Sequence, residues 1–219
     1  MSYEQEHLKA GRSYIIGMDE AGYGAWAGPV VAAAVCLGWN DAQAIYEQLK
    51  GVKDSKQMTP RQRETAYDVI QQVALGTGTG HATPSEINEQ GLSAALTLAY
   101  SRAYDDCVTR LRERDLTPQA LLLDGVSGWK SFPHESSVVV ERIPKGDTVS
   151  LSIAAASVLA KVWRDRELVK LSEQHPDYGF ERHKGYGTQA HRDALESHGV
   201  LAAHRRNYKP IRALLELPK

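Results

Sequence analysis

Cysteine is nearly missing from this chain: among 219 residues there are only Cys36 and Cys107, with no Cys-x-x-Cys spacing. That excludes a disulfide scaffold and thiolate zinc sites, and both read as reduced packing residues. No His-Glu-x-x-His pattern occurs either, so zinc hydrolysis has no motif to rest on. No apolar run approaches the roughly 18 residues of a membrane helix. The opening Met1-Ser2-Tyr3-Glu4-Gln5-Glu6-His7 is too acidic and polar for a signal peptide. The expected location is the cytoplasm, without a membrane partner. One-sided charge is absent as well, the formal net charge being -1. That average hides a division. Residues 1–160 carry 14 Lys and Arg against 19 Asp and Glu, whereas residues 161–219 carry 12 against 8. A basic C-terminal section beside an acidic pocket suits a protein that holds phosphates next to a divalent metal.

No internal repeat, low-complexity segment or linker appears, so the expectation is one α/β domain over residues 1–219. Residues 1–12 read as an N-terminal tail and about 175–219 as a helical C-terminal part. Tyr14-Ile15-Ile16 and Val30 to Val35 are β-like runs that enclose adjacent acids and three glycines, hence strand, turn, strand. Gly76 to His81 alternates glycine with β-formers, a third strand bare enough for something to pack closely on it. Without a helix between the first two strands, this part should be an antiparallel meander. Ala120 to Gly125 and Ser137 to Glu141 read as later, parallel strands. Helices are expected over Asp41–Lys50, Pro60–Ala74, Leu92–Arg114, Thr148–Glu173 and Thr188–His198, with capping boxes at Thr59 and Thr83 and a stop at Gly199.

Acids stand where strands end or helices begin: Asp19 with Glu20, Asp124, and Asp147. Each alone has a plain structural reading, Asp124 as a strand-ending turn and Asp147 as an N-cap. Packed together, carboxylates raise one another's pKa and invite hard cations. Mg2+ and Mn2+ take oxygen ligands, and two such ions can activate water and stabilise a leaving oxygen in phosphodiester hydrolysis. Adjacent strand residues point to opposite faces, so joint ligation by Asp19 and Glu20 requires the strand to bend or end between them. The Gly22-x-Gly24-x-x-x-Gly28 spacing departs from the dinucleotide fingerprint, and a strand follows it where that motif opens a helix.

Gly17-Met18-Asp19-Glu20-Ala21-Gly22-Tyr23-Gly24 through Ala27-Gly28-Pro29-Val30-Val31-Ala32-Ala33-Ala34-Val35 resembles the signature of the type 2 ribonucleases H (ribonuclease HII). The resemblance continues in Lys53-Asp54-Ser55-Lys56, Leu123-Asp124-Gly125, Lys145-Gly146-Asp147 and Ser152 to Ser157. It ends with Arg164-Asp165, His183 to Thr188 and His204-Arg205-Arg206. It implies a ribonuclease H-like fold, a five-stranded mixed sheet flanked by helices with a helical C-terminal part that holds substrate. It also implies an endoribonuclease of RNA–DNA hybrids that cuts 5' of single ribonucleotides in duplex DNA, as in ribonucleotide excision repair, and leaves 3'-hydroxyl and 5'-phosphate ends. On the resemblance, Asp19, Glu20, Asp124 and Asp147 are the catalytic ligands of two Mg2+ or Mn2+ ions. Gly22-Tyr23-Gly24 reads the 2'-hydroxyl through its backbone, and Tyr186 stacks on the next deoxyribose.

Lys53, Lys56, Lys145, Lys184, Arg205 and Arg206 are then candidate phosphate contacts. His183 and His204 have no assigned role, and Arg164-Asp165 reads as a structural ion pair. Tyr23 stands where the family has arginine, which leaves backbone reading intact and alters phosphate affinity. The alternative is a catalytically impaired RNA–DNA hybrid-binding module. The tail Leu214 to Lys219 lacks the aromatic pair of a clamp-binding peptide, so no clamp contact through it and a monomer are expected.

Overall fold

In the computed structural model, residues 2–125 and 137–216 are described. Five strands form one mixed sheet: β1 (Tyr14–Ala21), β2 (Val30–Gly38), β3 (Ala74–Ala82), β4 (Ala120–Asp124) and β5 (Val139–Ile143), in the order β3-β2-β1-β4-β5. The pairs β1/β2 and β2/β3 are antiparallel, and β1/β4 and β4/β5 are parallel. This is the meander-then-parallel arrangement that the connections predict. The helices are α1 (Ser2–Lys9), α2 (Ala42–Gln48), α3 (Pro60–Val73), α4 (Pro84–Gln90), α5 (Leu92–Arg112), α6 (Leu151–Gln174), α7 (Phe180–His183), α8 (Gln189–His198) and α9 (Lys209–Glu216). Both expected capping boxes form, at Thr59 with Gln62 and at Thr83 with Glu86.

The sheet is apolar on both faces. One face packs with α3 and α6 around Ile15, Val31, Val35, Leu122, Ile153 and Leu159; the other packs with α5 around Ile16, Met18, Leu121, Tyr100 and Cys107. The glycines of β3 are the reason α5 lies so close. A Cβ built on Gly78 or Gly80 would meet the carbonyl oxygens of Ala103 or Ala99 at 2.0 and 2.2 Å, so helix backbone rests on strand backbone. A third apolar cluster, Tyr178, Phe180, Leu195 and Ile211 with Leu168, joins the C-terminal helices to α6.

Two expectations shift. The first twelve residues hold α1 in place of a bare tail, because buried Glu4 accepts from the Ser150 hydroxyl at 2.5 Å and from the Ser152 backbone at 3.0 Å. The long helix starts at Leu151, later than Thr148, since Gly146–Thr148 makes a 3-10 turn and the Ser150 side chain supplies the cap. Leu217, Pro218 and Lys219 of the clamp-tail expectation lie outside the described residues. Among the described residues no helix is long and apolar enough to cross a membrane.

Candidate active site

Two adjacent strand ends and one turn bring the acids together. Asp19 and Glu20 are the last residues but one of β1, Asp124 ends the neighbouring parallel β4, and Asp147 lies in the turn after β5. The bend expected between Asp19 and Glu20 is not found: both keep regular pairing with Ala33 and Ala32, and the strand ends at Ala21. They face opposite sides. Asp19 bonds to Ser157 of α6, while Glu20 accepts from the Tyr100 hydroxyl of α5 at 2.6 Å. The two carboxylates still share one field, because Asp124 raises the pKa of each.

Burial, then the charges of Glu20 and Asp124, push Asp19 well above the usual carboxylate range. Burial also raises Glu20, against the hydrogen bond from Tyr100. Asp147 rises to about 6, through burial first and the charges of Asp124 and Asp54 next. Lys56 answers them. Burial alone would lower its pKa, but Asp19, Asp54, Asp147 and Asp124 together hold it above its ordinary value. Asp124 itself is oriented by the Gly146 N–H, which donates to its Oδ1 at 2.6 Å.

Among the described residues no three His, Cys, Asp or Glu side chains close around one point as they stand. The donor set nevertheless fits a hard divalent cation: oxygen atoms only, in a buried cluster whose members disfavour one another's charge and have Lys56 as a shared cation.

Beside the acids, the turn from Gly22 to Pro29 is held from behind by two buried arginines. Arg164 donates to the carbonyls of Pro29 (3.0 Å), Ala27 (3.1 Å) and Lys184 (2.9 Å), and Arg205 to those of Gly28 (3.0 Å) and Tyr23 (2.9 Å). Two sequence expectations are corrected here. Arg205 is fully buried, so it supports the turn and does not reach a phosphate. Arg164 and Asp165 form no ion pair, since neighbours on a helix diverge; Asp165 pairs with Lys161 at 2.7 Å and Arg63 at 3.4 Å.

Gly22 has φ +88°, and a Cβ there would meet Arg164 Nε at 2.0 Å, so the fold itself demands glycine. Gly24 has no heavy atom within 4 Å of its would-be Cβ. Its bare backbone faces open space. Tyr23 and Tyr186 are both exposed, and Arg164 and Lys161 lie 5.3 and 5.9 Å from the centre of the Tyr186 ring. Lys53, Lys56, Lys145 and Arg206 are exposed and Lys184 is half-buried. Sequence reasoning missed Tyr100, Ser157 and His191. All three meet their partners from other elements of the fold, so nothing local in the sequence marks them.

The sheet order and the carboxylates at its strand ends define a nuclease of the ribonuclease H-like fold. A family model described as Ribonuclease HII matches residues 16–210. Ribonuclease HII of Polynucleobacter asymbioticus is 42% identical over 203 residues, 93% of this chain and 96% of that one. The ribonuclease H2 structure from Pyrococcus horikoshii superposes with TM-score 0.69 at 27% identity, covering 92% and 97% of the two chains. The RNase HII of a PCNA:RNase HII complex from Archaeoglobus fulgidus gives 0.69 at 26%, covering 90% and 95%. The chain belongs to the ribonuclease HII family.

Proposed function

We propose that this enzyme hydrolyses the RNA strand of RNA–DNA hybrids and cuts 5' of single ribonucleotides embedded in duplex DNA, leaving 3'-hydroxyl and 5'-phosphate ends. The observation that carries the reading is the juxtaposition of the acidic cluster with a glycine turn whose Gly24 backbone is open to a ligand. The 2'-hydroxyl is the local difference between RNA and DNA, and it needs a close-approaching reader. Backbone groups of Gly22-Tyr23-Gly24 would supply that reader, and the exposed ring of Tyr186 would stack on the deoxyribose that follows.

Asp19, Glu20, Asp124 and Asp147 would hold two Mg2+ or Mn2+ ions, Asp19 and Glu20 reaching them from the two sides of the end of β1 with Asp124 close to both. Bound there, the ions supply an activated water and charge stabilisation for the departing 3'-oxygen. Tyr100 and Gly146 orient Glu20 and Asp124, and Lys56 balances the cluster's charge. Lys53, Lys56, Lys145, Lys184 and Arg206 would fix the duplex through phosphates without reading sequence. A cytoplasmic monomer that makes no clamp contact through its tail remains part of the proposal. A hybrid-binding module without catalysis is disfavoured, because four anions beside a phosphate weaken a pure binder.

The test is a DNA duplex with one internal ribonucleotide, incubated with Mg2+ or Mn2+ and with chelator. A metal-dependent nick immediately 5' of the ribonucleotide is expected; no nick in either metal refutes the activity.

A further inference from the structure

His183, His191 and His204 are buried together beneath the segment that carries Tyr186. With both rings neutral, the hydrogen bonds of His191 and His204 allow one set of tautomers, in which the Leu201 carbonyl 3.3 Å from His204 Nδ1 receives no proton. The Tyr186 carbonyl can only accept, so His191 carries its proton on Nδ1, 3.0 Å from that oxygen. Its Nε2 is therefore an acceptor, and the His204 Nε2 at 3.1 Å must donate to it. His204 Nδ1 is then left as an acceptor, and the Leu201 N–H fills it at 2.9 Å. Every member of the chain Leu201, His204, His191, Tyr186 has a defined direction. Burial lowers both His191 and His204 to about 4, so both are neutral at neutral pH, as the chain demands. The groups facing the pair are His183, stacked on His191 at 4.3 Å, with Trp26, Tyr178, Phe180 and Arg192 above Trp26.

The backbone of His204 has a second attachment. It bridges to Ala27 in antiparallel fashion; Gly28 N–H donates to Ala203 at 2.9 Å, and Arg205 N–H to Trp26 at 2.7 Å. From the other side, Trp26 N–H donates to Gly185 at 2.8 Å. His204 thus touches the glycine turn through its main chain and Tyr186 through its imidazole, by way of one other side chain.

We propose that His204, acting through His191, is a positioning residue that fixes the glycine turn and Tyr186 at one spacing, so that both meet the same ribonucleotide–deoxyribonucleotide junction. The inference rests on the junction-reading role given above to the turn and Tyr186. Neither histidine touches substrate or metal. Loss of the chain leaves the carboxylates in place and loosens Tyr186, so the deficit falls on junction recognition more than on hydrolysis.

The experiment compares kcat/KM on a duplex with one internal ribonucleotide against a uniform RNA–DNA hybrid. His204→Leu removes the donor to His191 and is expected to lower the ratio about tenfold, the same loss expected of Tyr186→Ala. His204→Gln keeps an N–H at the reach of Nε2 and should restore most of it. If Tyr186→Ala lowers the ratio while His204→Leu does not, the positioning role is wrong and the reading of Tyr186 stands. If Tyr186→Ala leaves the ratio unchanged, both fail. Because His204→Leu can misfold, imidazole 15N shifts of the wild-type protein near pH 7 give an independent check. The chain requires His191 protonated at Nδ1 and His204 at Nε2; the opposite tautomers, or an imidazolium at either, overturn it.

Discussion

Two regions meet at the β1–β2 turn, and their electrostatics are opposite. At its start, Asp19, Glu20 and Asp147 crowd around Asp124 with raised pKa values and Lys56 as the shared cation. A few residues on, the carbonyls of Tyr23, Ala27, Gly28 and Pro29 all receive guanidinium hydrogen bonds, and His191 and His204 beyond them are neutral and paired. Repulsion left in a fold marks a place completed by something else, since a buried anion cluster is unfavourable by itself. Dense pairing of backbone carbonyls marks a place whose work is to stay put. On the proposed function the acidic region would be the reactive one, and the braced region would hold the ruler that places substrate against it.

The sharpest way to break the comparison is to neutralise the acidic side. Asp124→Asn keeps shape and removes a charge that raises Asp19, Glu20 and Asp147. If the cluster serves catalysis, turnover falls on the order of 10^3-fold or more, the several kcal/mol a bound metal contributes to charge stabilisation. Thermal stability in metal-free buffer should stay level or rise, because repulsion is relieved. Single-turnover cleavage and thermal melts read the two effects. Near-wild-type turnover would remove the assignment, and a lower melting temperature would show that the cluster is structural.

What could be read beforehand divides along the same line. The β1–β2 turn, the direction of each strand pair and the strand-end acids follow from local patterning: apolar runs, connection lengths and breakers within a few residues. The brace does not. Arg164 meets Pro29 across 135 positions, Arg205 meets Gly28 across 177, and Tyr100 meets Glu20 across 80. An arginine looks the same in sequence whether it faces phosphate or backbone, so Arg205 was expected at the surface, and Arg164 was paired with its neighbour Asp165. Only tertiary packing distinguishes these uses.

A middle-sized effect separates two glycines two residues apart. Gly22→Ala sets a side chain at φ +88° against Arg164, adding about 1–2 kcal/mol for the left-handed backbone and about 1–3 kcal/mol for overpacking. Its melting temperature should drop. Gly24→Ala meets nothing in the protein, so its stability should match wild type within about 0.5 kcal/mol. If the Gly24 backbone approaches the ribose, kcat/KM on a single-ribonucleotide duplex nonetheless falls, by about tenfold if one hydrogen bond to the 2'-hydroxyl is lost. Full activity in Gly24→Ala would mean that the open space there is not where substrate lies.

The smallest effect is expected at Tyr23, which joins both regions. Its carbonyl is fixed by Arg205 at 2.9 Å and by the Tyr208 hydroxyl at 2.5 Å, while its ring is exposed. Tyr23→Arg therefore changes what the side chain offers a phosphate without moving the backbone that would read the ribose. Each added phosphate contact releases about one counterion, steepening the fall of log kcat/KM with log salt by roughly 0.9. The gain is a few-fold and largest at low salt, and the ratio of ribonucleotide to all-DNA cleavage stays constant. A changed ratio with an unchanged slope would place ribose discrimination in the Tyr23 ring, and the braced backbone would then serve to aim that ring.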